Sequence, residues 1–210
     1  MRVAVLGGTG SFGRALAARL VAAGADTVVI GSRDAERARA TAAELGGAAE
    51  GATNDDAVRG ADLAVLAVKA EAALETAQAV ATPLGQVPLL SVASVLGFAK
   101  DGVRPDPDAR SLAERIQDVV AAPVVAGLHS IAASNLGEAP PDEDALVCGD
   151  DARAKELALE LSGRVVAGRA LDAGPLAGAR TLEGLTAVIV NLNRRYKAHA
   201  GIRVSGVARP

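Results

Sequence analysis

A glycine-rich segment near the start of the chain has the spacing of a phosphate-binding loop. Gly8-Thr9-Gly10-Ser11-Phe12-Gly13 fits the pattern G-x-G-x-x-G, follows a short apolar run and precedes a helical pattern. In such a loop Gly8 permits a tight turn, Gly10 lets the backbone approach a pyrophosphate, and Gly13 allows close helix packing. The amides at the helix start would face the phosphates. The segment predicts a dinucleotide site; the alternative is a tight strand–helix turn that binds nothing.

Positive charge follows the second apolar run, where an enzyme that uses NAD usually places an Asp or Glu for the ribose 2′-hydroxyl. The chain reads Gly31-Ser32-Arg33 at this point, and Arg37 follows. Guanidinium groups suit a dianionic 2′-phosphate, which a carboxylate would repel. The sequence therefore predicts NADP rather than NAD, with Ser32, Arg33 and Arg37 at the 2′-phosphate. The alternative is that the helix arginines are solvent-exposed charges, and for Arg39 we prefer that interpretation.

Two further residues have types that could do chemistry. His129 ends an apolar run, and open α/β sheets bind ligands where their strands end. It could orient a ligand, for example by donating to a ring carbonyl group; the alternative is a structural histidine. Cys148 lies in a strand pattern and is interpreted as a small buried hydrophobe. The sequence contains neither a metal-ligand cluster nor a Ser/His/Asp signature, which suits a protein whose bound cofactor carries the chemistry.

The elements that would position these residues alternate between two patterns. Unbroken apolar runs of strand length are typical of parallel strands that are buried on both faces, and helical patterns separate them. Asp34 and Asn54 are predicted N-caps. The alternation predicts a Rossmann-type, doubly wound parallel sheet, with strands at 2–7, 27–31, 62–68, 87–93 and 123–128 and helices at 12–24, 34–46, 54–61 and 71–81.

The second part of the chain is predicted to be smaller and mainly helical. A segment with prolines and charges, 99–111, is predicted to be a loop that could act as a lid. We place a domain boundary near Gly149, which gives an NADP-binding domain at 1–149 and a C-terminal domain at 150–210. Later elements are a strand at 145–149, a helix at 151–163, an extended segment at 165–174 and a mostly helical segment at 176–200.

Composition limits the classes of function. The 210 residues carry a net charge of −3, which argues against a general nucleic-acid or acidic-membrane surface. One cysteine suits a reducing compartment, and no apolar run reaches the roughly 18 residues of a membrane helix. We expect a soluble cytoplasmic protein. The apolar stretch 185–192 exceeds what one buried stripe needs, and it predicts a homodimer.

Several motifs together resemble one family, the NADPH-dependent reductases of the deazaflavin coenzyme F420. The resemblance runs over residues 1–206, and its most specific parts are the combination of "GSR", "VCGDD", "DAGPL" and "KAHAGIR". It implies hydride transfer between NADP and F420, a Rossmann domain, and a small C-terminal domain that closes over the nicotinamide. By position it implies that Val68, Ala70 and Leu74 border the cofactor. It also implies that His129 and Ile131 lie beside the nicotinamide–deazaflavin stack.

The chain departs from the family pattern at two places that should line the cleft. After Val68 the family often has a proline and an aromatic residue, where this chain has Lys69-Ala70. After the next strand the family often has a proline-containing turn, where this chain has Ala93-Ser94-Val95. Two other functions stay open: an NADP-dependent reductase of another small acceptor, such as an imine or a flavin, and a non-catalytic NADP-binding sensor.

Overall fold

The computed structural model describes residues 1–136 and 139–207, and its centre is an eight-stranded sheet. Most strands are buried on both faces, as the unbroken apolar runs predict. The strands of the sheet are β1 (Arg2–Leu6), β2 (Thr27–Ser32), β3 (Ala49–Thr53), β4 (Leu63–Leu66), β5 (Leu89–Ser91), β8 (Val124–Gly127), β9 (Ala145–Gly149) and β10 (Ala170–Asp172), and a separate hairpin contains β6 (Leu96–Ala99) and β7 (Gly102–Pro105).

Seven α-helices surround the strands within the described residues. Helices of suitable length follow most strands, which is the βαβ arrangement expected of a doubly wound fold. They are α1 (Ser11–Ala22), α2 (Ala35–Leu45), α3 (Asn54–Val58), α4 (Ala70–Leu84), α5 (Leu112–Gln117), α6 (Ala152–Val165) and α7 (Ala179–Tyr196).

The strand order, β10-β9-β8-β5-β4-β1-β2-β3, places β1 between β2 and β4. Val5 of β1 pairs in parallel register with Ile30 on one side and with Val65 on the other. The chain therefore winds outward from β1 in both directions. Such a switch point leaves a crevice at the carboxyl ends of the strands, which is where these sheets bind ligands. The predicted fold class is confirmed.

Strands β3, β6 and β7 and helix α5 were absent from the sequence prediction. Strand β3 reads "AEGAT", which is polar and small because it lies at the sheet edge beside β2. The segment predicted as a loop at 99–111 contains most of the β6–β7 hairpin, and that prediction is wrong. The side-chain amide of Asn191 on α7 holds β7, because it accepts from the N–H and donates to the carbonyl oxygen of Val103, each over 2.8 Å. The short helix α5 follows, with a capping box made by Ser111 and Glu114.

The last elements of the chain extend the same sheet before α7 begins. Strand β9 runs antiparallel to β8, and β10 runs parallel to β9. Helix α6 packs on β9 and β10, while α7 lies across β7 and the end of β8. Residues beyond 149 thus contribute to the main sheet as well as to its cover, and the division into 1–149 and 150–210 stays a prediction.

Apolar side chains fill both faces of the sheet. One layer joins α1 and α6 to the strands and includes Leu16, Ile30 and Leu161; the other joins α4 and α5 to the opposite face and includes Leu84 and Ile116. Within the described residues, no helix has the length and apolar character needed to cross a membrane.

Candidate cofactor-binding site

The turn between β1 and α1 has the geometry of a phosphate loop. Gly7, with φ +76°, makes the turn in the left-handed region, and its missing side chain leaves room for Val68 and the Ala67 carbonyl group. A Cβ on Gly13 would lie 2.5 Å from the Gly7 carbonyl oxygen, so the start of α1 packs directly on the turn. No side chain among the described residues caps α1, which leaves its first amides available to an anion.

The predicted loop and the predicted 2′-phosphate residues line one cleft of about 640 Å³. Gly8 and Gly13 shape the turn beneath it. The other side of the cleft is the first three turns of α4, which contribute Glu71, Ala72, Glu75, Thr76 and Ala79. Of the sequence-predicted site residues, the structure brings together here Thr9, Gly10, Ser11, Phe12, Ser32, Arg33, Arg37 and Val68.

The two arginines of the cleft differ from their neighbours in pairing. Arg39, one half-turn past Arg37, pairs with Glu36, as expected for a solvent-exposed helix charge. The guanidinium groups of Arg33 and Arg37 make no ion pair with any residue that the structure describes. Asp34 also lines the cleft, but its carboxylate accepts from the backbone N–H groups of Glu36 and Arg37, which confirms it as the N-cap of α2. Two guanidinium groups are thus available to an anion.

The residues after β4 divide between the cleft and its surroundings. Val68 packs against Gly7, and Lys69 lines the cleft with an exposed side chain. Ala70 and Leu74 lie on α4 outside the residues that line this cleft. The departure from the family pattern at Lys69 therefore adds a cation to the cleft, beside the predicted phosphate loop.

His129 lies beyond the end of β8 and closes a ring of hydrogen bonds. Its Nδ1 is 3.1 Å from Ser94 Oγ, and Ser94 Oγ is 2.7 Å from Thr186 Oγ1. Thr186 Oγ1 donates in turn to the backbone carbonyl oxygen of His129 over 2.8 Å. A carbonyl oxygen can only accept, so the single hydroxyl proton of Thr186 is used there. Ser94 must then donate to Thr186, and His129 must donate from Nδ1 to Ser94.

This ring of hydrogen bonds fixes the state of the imidazole. Burial lowers the pKa of His129 to about 4, so the ring is neutral near pH 7. A neutral ring with its proton on Nδ1 carries a lone pair on Nε2. Nε2 is buried and has no hydrogen-bond partner among the described residues. It offers an acceptor, not the N–H that a carbonyl group would need, contrary to the direction expected from the sequence.

Ile131, two residues after His129, is buried in the apolar layer that Phe12 also contacts. This layer reaches from the phosphate loop to the end of β8. It supplies an apolar wall near His129, while the predicted contact of Ile131 with a nicotinamide ring stays a prediction.

Other candidate groups are structural in this fold. Burial raises the pKa of the Cys148 thiol, and Gly178 packs on its sulfur, in agreement with a small buried hydrophobe. The turn at 172–176 follows β10, which runs opposite to β8. The carboxyl end of β10 therefore lies at the amino ends of the parallel strands, away from the cleft. Asp150 and Lys155 hold that turn. In residues 1–136 and 139–207, no three His, Cys, Asp or Glu side chains are placed together so that they could hold a metal ion.

Sequence reasoning missed several residues of the site. The role of Gly7 in the turn was missed, because the pattern G-x-G-x-x-G was matched from its neighbour Gly8. Asn54 was predicted as an N-cap, but Thr53 caps α3 instead; the adjacent Thr-Asn pair gave either possibility. Ser94 was noted only as a departure from the family pattern, and Thr186 carried no signal. Their contacts with His129 were not predicted, because His129 is 35 and 57 residues away from them along the chain.

Comparisons with known proteins agree with this geometry. Residues 2–94 match the family model described as NADP oxidoreductase, coenzyme F420-dependent. The chain is 36% identical to the F420-dependent NADP reductase of Methanothermobacter thermautotrophicus, over 99% of this chain and 96% of that protein. It is 32% identical to the F420-dependent NADP reductase of Methanocaldococcus jannaschii, over 99% of both chains.

The likeness extends to solved structures. A candidate F420-dependent NADP reductase from Arthrobacter sp. FB24 superposes with a TM-score of 0.82 at 29% identity, over 98% of this chain and 99% of that chain. A pyrroline carboxylate reductase from Plasmodium falciparum, solved with NADP bound, shares the fold with a TM-score of 0.62 at 14% identity, over 94% of this chain and 64% of that chain. The near-complete coverage at more than 30% identity settles the family: this chain belongs to the F420-dependent NADP reductases.

Proposed function

We propose that this protein transfers a hydride directly between NADP(H) and coenzyme F420. The observation that carries the proposal is the cleft in which a phosphate loop faces two arginines that form no ion pair within the described part of the chain, in a chain of this family. The reaction moves a hydrogen with its two electrons from C4 of the nicotinamide to C5 of the deazaflavin, and a proton completes the reduced deazaflavin. The rings supply that chemistry, and the protein contributes binding, orientation and exclusion of water.

The cleft residues would divide the binding of NADP between its phosphates. The uncapped amides at Ser11 and Phe12 suit the pyrophosphate, because they lie at the positive end of α1. Ser32, Arg33 and Arg37 suit the 2′-phosphate. Gly10 leaves the backbone open to the pyrophosphate, since the nearest atom to a Cβ there is the Gly7 carbonyl oxygen at 3.3 Å.

His129 would orient one of the two rings. Its Nε2 is a fixed lone pair at the carboxyl end of β8, two strands from β4 and three from β1 in the sheet order. The nicotinamide carboxamide and the deazaflavin imide each carry an N–H that such an acceptor could bind. The support for this role is that Nε2 has no partner among the residues given in the structure, together with the hydrogen-bonded ring that keeps the proton on Nδ1.

The test is to mix the purified protein with F420 and NADPH that is deuterated at the transferring C4 position. We expect the deazaflavin absorbance to fall and the deuterium to appear at its C5. Kinetics should require both ligands together and should not be ping-pong. Oxidation of NADPH by an imine or a flavin, with F420 unchanged, would instead support the reductase of another acceptor. Binding of NADPH without turnover of any acceptor would support the sensor.

We also propose a homodimer that uses α7. Val188, Leu192 and Tyr196 recur every four residues on this helix, and each is exposed, so together they form an apolar stripe on one helix face. A two-fold interface presents the same patch from both subunits. We keep as proposals the cytoplasmic location, supported by the single cysteine, and the closing of the cleft by the C-terminal region, in which α7 covers His129.

A further inference from the structure

Asn54 occupies a position in the cofactor cleft that the predicted site does not include. It is the first residue of α3 and directly follows β3, whose last residue pairs in register with Ser32 of β2. It therefore lies, like the predicted 2′-phosphate residues, at the carboxyl ends of the parallel strands. Asn54 lines the cleft together with Ser32, Arg33 and Arg37.

The side chain of Asn54 has no structural task among the described residues. The hydroxyl of Thr53 caps α3 by accepting from the N–H of Asp56 over 3.1 Å. Asn54 Oδ1 is buried and has no hydrogen-bond partner in residues 1–136 and 139–207. Nδ2 likewise donates to no residue that the structure describes, so this donor of the amide is available to a ligand in the cleft.

The packing around Gly31 orients this amide. Oδ1 of Asn54 lies 2.9 Å from the place where a Cβ on Gly31 would be, so the absence of a side chain at Gly31 is what admits the amide oxygen. With Oδ1 against the strand, Nδ2 is the end of the amide that is free to face the cleft. An N–H donor suits an anion, whereas an apolar side chain or a carboxylate at this position would not.

We propose that Asn54 is a binding residue for the 2′-phosphate of NADP, to which it donates a hydrogen bond from Nδ2. This inference rests on the proposed function. It completes a set of neutral and charged donors around one phosphate: a hydroxyl, two guanidinium groups and an amide. It also gives Gly31 a role, since the amide needs the space that an acidic or larger residue would fill.

The experiment measures binding of two fragments by calorimetry, adenosine 2′,5′-bisphosphate and adenosine 5′-monophosphate, to the full chain and three variants. We expect Asn54→Ala to lose about tenfold or more in affinity for the bisphosphate, the value of one charge-assisted hydrogen bond. Its affinity for the monophosphate should change little. Asn54→Asp, which is nearly isosteric, should lose more for the bisphosphate, because it places a carboxylate beside the phosphate. Asp55→Ala, an exposed neighbour outside the cleft, should match the unmodified protein.

The outcomes separate this inference from the proposed function. If the unmodified protein prefers the bisphosphate but Asn54→Ala and Asn54→Asp bind it equally well, the inference is overturned and the NADP site stands. Equal losses for both fragments would also overturn it, since Asn54 would then contact the common part of the ligands or only support the fold. If the unmodified protein shows no preference for the bisphosphate, the NADP assignment itself fails, and the inference fails with it.

Discussion

Thr186 on α7 donates from its hydroxyl to the backbone carbonyl oxygen of His129, 57 residues earlier in the chain, over 2.8 Å. This one contact determines the direction of the other two hydrogen bonds in the ring, and through them the position of the proton on the imidazole. A residue on the covering helix thus controls which chemical group a histidine of the sheet presents.

The ring of hydrogen bonds predicts an effect of Ser94→Ala. Without the serine hydroxyl, Nδ1 loses its acceptor and the imidazole is free to adopt the other tautomer. We expect the rate of hydride transfer to fall, while the affinity for NADPH changes little because Ser94 lies outside the nucleotide cleft. The ¹⁵N chemical shifts of the His129 ring should report protonated Nδ1 in the unmodified protein and a mixture in the variant.

Thr186 provides the matched comparison for this prediction. Thr186→Ser keeps the hydroxyl and should preserve the tautomer, whereas Thr186→Val should not. If both variants of Thr186 show the same ring spectrum as the unmodified protein, the hydrogen-bonded ring does not set the tautomer.

Arg33→Ala should weaken NADPH much more than NADH. A charge-assisted contact to phosphate contributes about 1.5–3 kcal/mol, which corresponds to one to two decades of affinity. The Michaelis constants for the two nucleotides check this directly. Arg39→Ala is the control, because Arg39 pairs with Glu36 and lies outside the cleft. Equal use of NADPH and NADH by the unmodified protein would contradict the assignment of the 2′-phosphate residues.

Two glycines of the phosphate loop should respond differently to substitution. Apart from its chain neighbours, a Cβ on Gly10 would approach one atom of the described residues within 4 Å, the Gly7 carbonyl oxygen at 3.3 Å. Gly10→Val should therefore fold, and it should lose nucleotide binding because its side chain blocks the pyrophosphate. A Cβ on Gly13 would lie 2.5 Å from a backbone oxygen, so Gly13→Ala should lower the melting temperature. Unchanged NADPH affinity in Gly10→Val would show that the loop is only a turn.

The buried imidazole predicts a pH dependence of stability. The unfolded chain binds a proton at His129 near pH 6.5, and the folded protein binds it only near pH 4. The stabilising contribution of the neutral His129 ring to the free energy of unfolding is therefore fully present above pH 6.5, and it is lost as the pH falls toward 4. Its size is about 3 kcal/mol.

Urea unfolding between pH 4 and 7 measures this contribution, when the unmodified protein is compared with His129→Phe. Burial also raises the pKa values of Glu143 and Glu183, and their titration acts in the opposite direction, but it is common to both proteins. The difference between the two curves isolates His129. Parallel curves would mean that the imidazole is not buried as described.

The apolar stripe on α7 predicts the effect of Leu192→Arg on assembly. A buried, unpaired guanidinium at a two-fold interface occurs twice and is costly, so the variant should sediment as a monomer in analytical ultracentrifugation. Val207→Arg changes another exposed apolar residue outside the stripe and should leave the mass unchanged. If the unmodified protein itself sediments as a monomer, the proposal of a homodimer is wrong.

The success of sequence reasoning followed the range of the interactions involved. The loop at Gly8–Gly13 and the cap at Asp34 depend on residues close in sequence, and local patterns predicted both. The sequence analysis did not predict strand β3, because an edge strand such as "AEGAT" needs little apolar character. The hairpin at 96–105 was not predicted, because its supporting hydrogen bonds come from Asn191, far along the chain. The state of His129 depends on Ser94 and Thr186, which only the folded chain brings together.

The tethers on α7 have a consequence for how the protein opens. Asn191 holds Val103 of the hairpin, and two turns earlier Glu183 accepts from the amides of Leu112 and Ala113 at the start of α5. Helix α7 is therefore hydrogen-bonded to both the hairpin and α5, and movement of any one of the three elements breaks bonds to another. The three elements should behave as one cooperative unit in native-state hydrogen exchange. Amides of Val103, Leu112 and Ala113 should then share one opening free energy, and any widening of the space above His129 must move all three elements as a block.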